Sequence, residues 1–122
     1  MPNKWSLDAH WEEAQKYMDF IIASGKKYDV ELSIIIGILS RESCVGLINE
    51  PVGPSGRGDN NFAHGLMQID KRSFPEFCAT EDWKDPAKNI DKGVAIYKDN
   101  FNYFNKKYPN DEFNIRRANE LS

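Results

Sequence analysis

The stretch that decides the fold is "ELSIIIGILSRES", residues 31–43. Its apolar side chains recur at the spacing of one helix face, so Ile35, Ile38 and Leu39 are expected on one side. Glu42 follows them by seven, four and three residues. Because residues at these intervals share a side of a helix, the Glu42 carboxyl group is expected at the end of the apolar stripe.

Two further helices follow from the same spacing. Apolar residues recur every three or four positions in residues 7–28 and from about Pro86 to Lys107. The helix carrying Glu42 is expected from Asp29 or Val30 to about Cys44. A short last helix is expected from near Asp111. The predicted core faces are Leu7, Trp11, Ala14, Met18, Ile21 and Ile22; then Leu32, Ile35, Ile36 and Leu39; and then Ile90, Val94, Tyr97, Phe101 and Phe104.

Individual residues indicate where these helices begin, end and pack closely. Ser6 is a suitable N-cap for the first helix, and Gly25 is expected near its end. Gly37 weakens the second helix by about 1 kcal/mol relative to alanine. A glycine kept inside a helix often allows a neighbour to pack closely, and we expect this role for Gly37.

Residues 45–64, "VGLINEPVGPSGRGDNNFAH", have a different composition, with four glycines and two prolines. This composition predicts a long turn-rich loop with short extended pieces. Long loops inside compact domains are usually functional or disordered. The sequence therefore predicts a mainly α (α+β) fold: one helical domain over residues 1–122, with a glycine-rich loop and at most a small β element.

Composition excludes several classes of function. The chain has 122 residues, 40% hydrophobic and 29% charged, which is ordinary for a globular domain. The net charge of −3 is spread without a basic stripe, so no nucleic-acid partner is expected. No apolar run approaches the ~20 residues of a membrane span. No basic start leads into an apolar signal core, so the chain is cytoplasmic or injected, or has lost a leader.

The cysteines and histidines give no metal pattern. Cys44 and Cys78 either pair with each other or remain free thiols, and two cysteines are too few for a disulfide framework. His10 and His64 lack the spacing of metal ligands. We expect neither a metal nor a cofactor.

The acidic residues point to acid–base chemistry. A carboxyl group packed against apolar side chains is costly to ionise, so it can keep a proton near neutral pH and donate it to a leaving oxygen. Glu42 fits this need, although its side chain has the alternative of reaching water or pairing with Arg41 or Lys71. Asp59 and Asp70 follow on the loop and after "GLMQI". One acid opposed by further carboxylates is the arrangement that glycoside hydrolysis requires.

Longer motifs then make a specific resemblance. "IIGILSRES", "GRGDNNFAHGLMQIDKRS" and "GVAIYKDNF" together resemble goose-type lysozyme, of the wider lysozyme and soluble lytic transglycosylase superfamily, over about residues 28–107. The resemblance implies a lysozyme-like fold and a hydrolase that cleaves the β-1,4 bond between N-acetylmuramic acid and N-acetylglucosamine in peptidoglycan. It also implies antibacterial cell wall degradation, and hence secretion or delivery to the bacterial wall.

The resemblance also implies roles for individual residues. Glu42 is the general acid, and Asp59 and Asp70 hold or activate water, with inversion at the anomeric carbon. Gly65 and Gln68 belong to the family's cleft floor. Ser43 either orients Glu42 or satisfies helix-end backbone groups, and Asn60 and Asn61 suit sugar hydroxyl and amide groups. These five residues are our substrate-binding candidates: Ser43, Asn60, Asn61, Gly65 and Gln68.

The sequence departs from the family pattern in two places. The loop between Glu42 and Asp59 is several residues longer than in typical members, and the family continues past the equivalent of "DEFNIRRA" into an Ala-Tyr-Asn-x-Gly-like helix. We therefore expect this chain to lack the C-terminal helices, through truncation, a partner chain that completes the cleft, or a naturally short form. A monomer is otherwise expected.

Three functions remain open at this stage. The first is a muramidase, and the second is a lytic transglycosylase that uses the same Glu42. The third is an inactive saccharide-binding or interaction module. Because the chain is acidic, it would be weakly repelled by anionic envelopes, so neutral chitin-like oligomers stay an alternative substrate.

Overall fold

The structure, a computed structural model, describes residues 3–109 and has the predicted mainly α architecture with a small antiparallel sheet. Its helices are α1 (Leu7–Ala14), α2 (Met18–Tyr28), α3 (Leu32–Ser43), α4 (Pro75–Cys78) and α5 (Pro86–Lys107). The strands β1 (Arg57–Gly58), β2 (Ala63–His64) and β3 (Ile69–Asp70) lie in the segment between α3 and α4. The short last helix predicted near Asp111 and the single-domain prediction for the whole chain extend outside the described residues.

The first predicted helix is divided. Ser6 caps α1 as expected, since its hydroxyl accepts from the Ala9 amide at 3.1 Å. A 3-10 turn at Gln15–Tyr17 then separates α1 from α2. Three residues turn about 60° further in a 3-10 helix than in an α-helix, so the apolar face changes direction at the turn. The prediction that Leu7 and Trp11 lie in the core is therefore wrong: they are 76% and 55% exposed.

Helix α3 crosses the core and ends abruptly. Ile35 and Leu39 are fully buried, as predicted. Leu32 is exposed instead of buried, because it is the first residue of the helix and lies at its edge. Cys44 follows in the left-handed conformation and turns the chain out of the helix toward the glycine-rich segment.

Two helical glycines have roles different from those predicted. Gly25 lies within α2 and is buried, and a Cβ atom there would come 2.9 Å from the Val30 carbonyl oxygen. It therefore allows close packing and does not end the helix. A Cβ on Gly37 would meet nothing within 4 Å, so the expected close packing there is wrong. Gly93 of α5 has that role, because Met67 packs directly against it.

Helix α5 begins as predicted and is only half buried. The Asp85 side chain caps it by accepting from the Ala87 amide at 2.8 Å. Ile90 and Val94 are fully buried. Further along the helix, the predicted core residues Phe101 and Phe104 are 46% and 56% exposed, because no other described element covers that end of α5.

The small sheet positions the residues that follow α3. Strand β2 is central and antiparallel to both neighbours: Arg57 pairs with His64, and His64 pairs with Ile69. The register places Ala63 opposite Asp70, so the loop that carries Asp59 returns beside β3. This sheet therefore brings two aspartates that are distant in sequence to the same edge of the molecule.

Two further observations complete the fold. Cys44 and Cys78 are free thiols, which settles the alternatives left by the sequence in favour of unpaired cysteines. Within residues 3–109, no helix combines the length and apolar character needed to cross a membrane.

The two glycines on α3 and α5 give a matched test of the packing. We expect Gly37→Ala to raise the free energy of unfolding by up to about 1 kcal/mol, because alanine is the better helix former. Gly93→Ala should lower it by about 1–3 kcal/mol, because the new Cβ would lie 2.7 Å from the Met67 Cβ, which no rotamer change relieves. Urea unfolding measures both; equal effects in the two variants would contradict the close contact of α5 with Met67.

Candidate active site

A cavity of about 320 Å³ lies between the end of α3, strand β3 and helix α5. We call it the carboxylate cavity, because Glu42 and Asp70 both line it. Its other walls are mainly apolar, which is typical of ligand sites that carry a few polar groups. The remaining lining residues are Ile38, Met67, Gln68, Ile69, Phe74, Gly93, Ile96, Tyr97 and Asn100.

Glu42 lies at the open edge of the carboxylate cavity. It is in the last turn of α3, one turn beyond Ile38, so the sequence placed it correctly beside apolar side chains. Its side chain is nevertheless exposed, and among residues 3–109 no hydrogen bond or ion pair reaches its carboxylate. The expectation of a carboxyl group already shielded from water is wrong for the described residues, because none of them covers this edge of the cavity.

Asp59 and Asp70 are joined by a residue that the sequence analysis did not single out. The Arg72 Nη2 donates to Asp70 Oδ2 at 2.7 Å and to Asp59 Oδ2 at 3.1 Å. The Arg72 Nε also donates to Asp70 Oδ1 at 3.0 Å, and the Arg72 backbone amide donates to the same oxygen at 2.8 Å. Asp70 and Arg72 are close enough in the "DKR" sequence to pair locally, but only the folded loop brings Asp59 to Arg72.

The contacts of Arg72 control the charge of Asp70. Its side-chain hydrogen bonds, and then its backbone amide, lower the pKa of Asp70 from 3.8 to about 2. The reciprocal interaction with Asp70 raises the pKa of Arg72. Asp70 is therefore a permanent anion at any pH near neutrality, and its pairing favours the folded state above pH 4 and is lost as pH falls toward 2.

The asparagines predicted to contact sugar are exposed next to Asp59. Asp59, Asn60 and Asn61 all have positive φ, at 49°, 54° and 68°. Aspartate and asparagine tolerate this conformation better than other residues with a Cβ atom, which explains the composition of the turn. The side chains of Asn60 and Asn61 have no protein hydrogen bond among residues 3–109, so they remain available to a ligand.

Ser43 lies in the interior and not on the cavity wall. It has no exposed surface, and its hydroxyl donates to the Leu66 carbonyl at 2.6 Å while accepting from the Gly46 amide at 2.8 Å. This geometry corresponds to the second role considered for Ser43, the satisfaction of backbone groups near the helix end. The hydroxyl fixes the end of α3, and hence Glu42, against the segment that follows β2.

Gly65 and Gln68 have different positions. Gly65 is buried with a φ of 78°, and a Cβ there would collide with Asn89 and approach the Trp83 carbonyl at 2.7 Å, so only glycine fits. Gln68 lines the carboxylate cavity, and its amide nitrogen donates to Gly65 at 2.9 Å and to Asn49 at 3.2 Å. Gln68 is thus placed to meet a ligand. Gly65 does not line the cavity but begins residues 65–69, which we call the cavity floor because Met67, Gln68 and Ile69 line it.

Two buried asparagines hold this floor, and the sequence analysis missed both. Asn89 of α5 accepts from the Met67 amide at 2.7 Å and donates to the carbonyls of His64 and Trp83 at 3.1 and 3.0 Å. Asn49 donates to the Gly65 carbonyl at 3.0 Å. No spacing or motif in the sequence pointed to Asn89, which directly precedes the expected apolar face that begins at Ile90.

Aromatic and histidine residues near the sheet serve packing. The rings of His64 and Trp83 meet edge to face with centroids 4.7 Å apart, and both residues are buried. Burial lowers the pKa of His64. Trp83 therefore supports the loop and is not a stacking surface for sugar. Within the described range, no group of three or more His, Cys, Asp or Glu side chains is arranged to hold a metal ion.

The fold and the carboxylate cavity together define a mainly α, lysozyme-like domain with acidic residues at a cleft between a helix end and a small sheet. The chain belongs to the goose-type lysozyme family: the family model described as Lysozyme g matches residues 8–115.

Curated relatives agree with this assignment. The chain is 33% identical over 94 residues to lysozyme G of Dromaius novaehollandiae, covering 77% of this chain and 42% of the relative. It is 32% identical over 98 residues to lysozyme g of Casuarius casuarius, covering 80% and 49%. With lysozyme g of Gallus gallus the identity is 35% over 94 residues, covering 77% and 41%. The chain thus spans less than half the length of these relatives.

Asn89 gives a direct test of how the cavity floor is held. Asn89→Ala should lower the free energy of unfolding by about 3 kcal/mol, because one buried amide and two carbonyls lose their partner. The matched control is Asn105→Ala on the exposed end of α5, which should change it by no more than about 0.5 kcal/mol. Urea denaturation measures both, and a similar small loss in the two variants would contradict a structural role for Asn89.

Proposed function

We propose that this protein is a muramidase, which hydrolyses the β-1,4 bond between N-acetylmuramic acid and N-acetylglucosamine in peptidoglycan. The observation that carries the proposal is that Glu42 and Asp70 line one cavity, with Asp59 connected to Asp70 through Arg72. Membership of the goose-type lysozyme family supports the same chemistry.

Glu42 is proposed as the general acid. It gives its proton to the glycosidic oxygen while the bond from that oxygen to the anomeric carbon breaks. In the free protein its carboxylate is exposed, so the substrate itself supplies the missing cover. A sugar ring seated against Ile38 and Phe74 would exclude water from this edge of the cavity, which favours the neutral, proton-carrying form of a carboxyl group.

The aspartates are proposed to position the attacking water. Its oxygen bonds to the anomeric carbon on the face opposite the departing sugar, and it gives one proton to a carboxylate, so configuration is inverted. Inverting glycosidases keep the acid and the base about 6.5–9.5 Å apart to leave room for this water. Asp70 ends β3 and lines the cavity together with Glu42, and Asp59 follows β1 in the turn that leads to β2.

The proposed substrate contacts follow from exposure and free hydrogen-bonding groups. Gln68 lines the cavity, and Asn60 and Asn61 present amides next to Asp59 that have no hydrogen-bond partner within residues 3–109. Amide groups can both donate to and accept from the hydroxyl and N-acetyl groups of a sugar chain. The net charge of −3 adds no attraction to an anionic wall, so chitin-like oligomers are the substrate to compare with peptidoglycan.

One observation favours a second candidate function, saccharide binding without turnover. Within the described residues the Glu42 side chain is exposed, so the apolar surroundings typical of a carboxylic general acid are not complete there. Calorimetry with chitooligosaccharides beside a turbidity assay on bacterial walls separates this function from hydrolysis. Mass spectrometry of released fragments identifies a lytic transglycosylase, whose products carry anhydro ends.

Glu42→Gln tests the proposed acid. We expect the rate of wall lysis to fall by about 10²–10⁴-fold, because glutamine cannot donate the required proton. The matched control is Glu31→Gln, which changes an exposed residue at the other end of the same helix and should leave the rate unchanged. Circular dichroism should show the same helical signal in both variants.

The outcomes distinguish the candidates. Full lysis by the Glu42→Gln variant would remove Glu42 from the mechanism. Oligosaccharide binding by the unmodified chain, with no lysis and no released fragments, would replace hydrolysis with the binding function.

A further inference from the structure

We propose that Arg72 is a positioning residue and that the two aspartates it binds have different roles. Asp70 anchors the Arg72 guanidinium. Asp59, held by the same guanidinium, accepts the proton of the attacking water. This inference rests on the proposed hydrolase function. It assigns different roles to two carboxylates that the sequence pattern treats alike.

Asp70 is fully occupied by Arg72. Its Oδ1 accepts from the Arg72 backbone amide at 2.8 Å and from Nε at 3.0 Å, and its Oδ2 accepts from Nη2 at 2.7 Å and from Nε at 3.2 Å. A forked arginine–carboxylate pair of this kind is both strong and directional. A carboxylate whose oxygens are all engaged by one cation stays ionised, so it is a poor acceptor for a proton from water.

Asp59 is held at one oxygen only. Its Oδ2 accepts from Arg72 Nη2 at 3.1 Å, and no other residue in the described part of the chain bonds its carboxylate. The side chain is 61% exposed, compared with 33% for Asp70. Asp59 therefore keeps an oxygen that can bind a water molecule and take its proton, while the other oxygen fixes the orientation of the carboxylate.

The guanidinium is itself held in place from a third side. The central carbon of Arg72 lies 4.2 Å from the centroid of the Phe62 ring. Phe62 is joined by backbone hydrogen bonds to both segments, because its amide donates to the Asp59 carbonyl at 3.0 Å and its carbonyl accepts from the Lys71 amide at 2.9 Å. The planar arginine group can stack on this ring and fork to two carboxylates at once, whereas a lysine ammonium cannot do both.

The turn at Asp59 explains why such a support is needed. Three successive residues in the left-handed region are a sparsely populated conformation, which persists where surrounding contacts hold it. Among the residues described, the bond from Arg72 to Asp59 is the only side-chain hydrogen bond or ion pair between residues 59–61 and the segment that follows β3. Without Arg72, we expect the Asp59 carboxylate to lose its fixed orientation relative to Asp70.

The experiment compares five variants in one assay of wall hydrolysis. We expect Asp59→Asn to lower kcat by about 10²–10⁴-fold, as the loss of a general base does. Arg72→Ala and Asp70→Asn should each lower kcat by about 10²-fold with little change in KM, because the base is misplaced but still present. Arg72→Lys should stay impaired, since it keeps the charge and loses the fork. The combined Arg72→Ala/Asp70→Asn variant should be no slower than either single variant.

The charge-matched control is Arg57→Ala. Arg57 lies on β1 of the same sheet, where its side chain is near Trp83 at 5.9 Å and makes no bond to either aspartate. Its removal takes away one positive charge close to the cleft. We expect kcat to remain within about twofold of the unmodified chain, as for a surface substitution away from the reacting groups.

A second measurement does not depend on turnover. Carbon-detected NMR titration of Asp70 should give a pKa of about 2 in the unmodified chain and a higher value in Arg72→Ala, where only the backbone amide of residue 72 still donates to the carboxylate. The direction follows because the hydrogen bonds of Arg72 stabilise the ionised carboxylate, so their loss raises the pKa. This measurement tests the contact between Arg72 and Asp70 itself, and the separate effects on kcat and KM test whether that contact positions the base.

Each outcome bears on a different claim. If Asp70→Asn is slower than Asp59→Asn, Asp70 is the base and the division of roles is overturned. An unchanged kcat in Arg72→Ala, or an unchanged pKa of Asp70, also overturns it while the muramidase function stands. If the unmodified chain does not cleave walls at all, the hydrolase function fails, and the proposed role of Asp59 fails with it.

Discussion

The buried amide of Asn89 is the contact on which the arrangement of the site depends. Asn89 is the fourth residue of α5, and its side chain makes three hydrogen bonds to backbone groups of His64, Met67 and Trp83. Buried backbone groups are costly to leave unpaired, so these bonds fix the distance between α5 and the short sheet. Gly65 and Gly93 complete the contact, because a side chain at either position would force the helix away.

The same constraint determines where the acidic groups lie. With the floor of the cavity fixed on α5, Ser43 links the end of α3 to Leu66, which places Glu42 on one side of the cleft. The sheet then brings Asp59 beside Asp70, where Arg72 binds both. Neutral buried hydrogen bonds thus position a charged surface network, and the charges themselves stay exposed, which avoids the cost of burying ions.

Much of the fold could be predicted from local patterns. The bounds of α5, the Ser6 cap, the buried Ile35 and Leu39 and the turn-rich loop all follow from residue spacing and turn chemistry, which act over a few neighbouring positions. The candidate site was predictable in part, because the motifs around Glu42, Asp59 and Asp70 resemble a family whose membership the comparisons show. The residues that support the site carried no such motif.

The sequence by itself determined the helical class, the main helices and the acidic candidates for the site, because hydrophobic period and motif are properties of neighbouring residues. Only the tertiary structure decided which faces are covered. A 3-10 turn rotated Leu7 and Trp11 into solvent, and none of the residues described covers the exposed side chain of Glu42. The pairing of Arg72 with two aspartates likewise depends on a turn thirteen residues away, since hydrogen bonds between distant segments form only when packing brings them together.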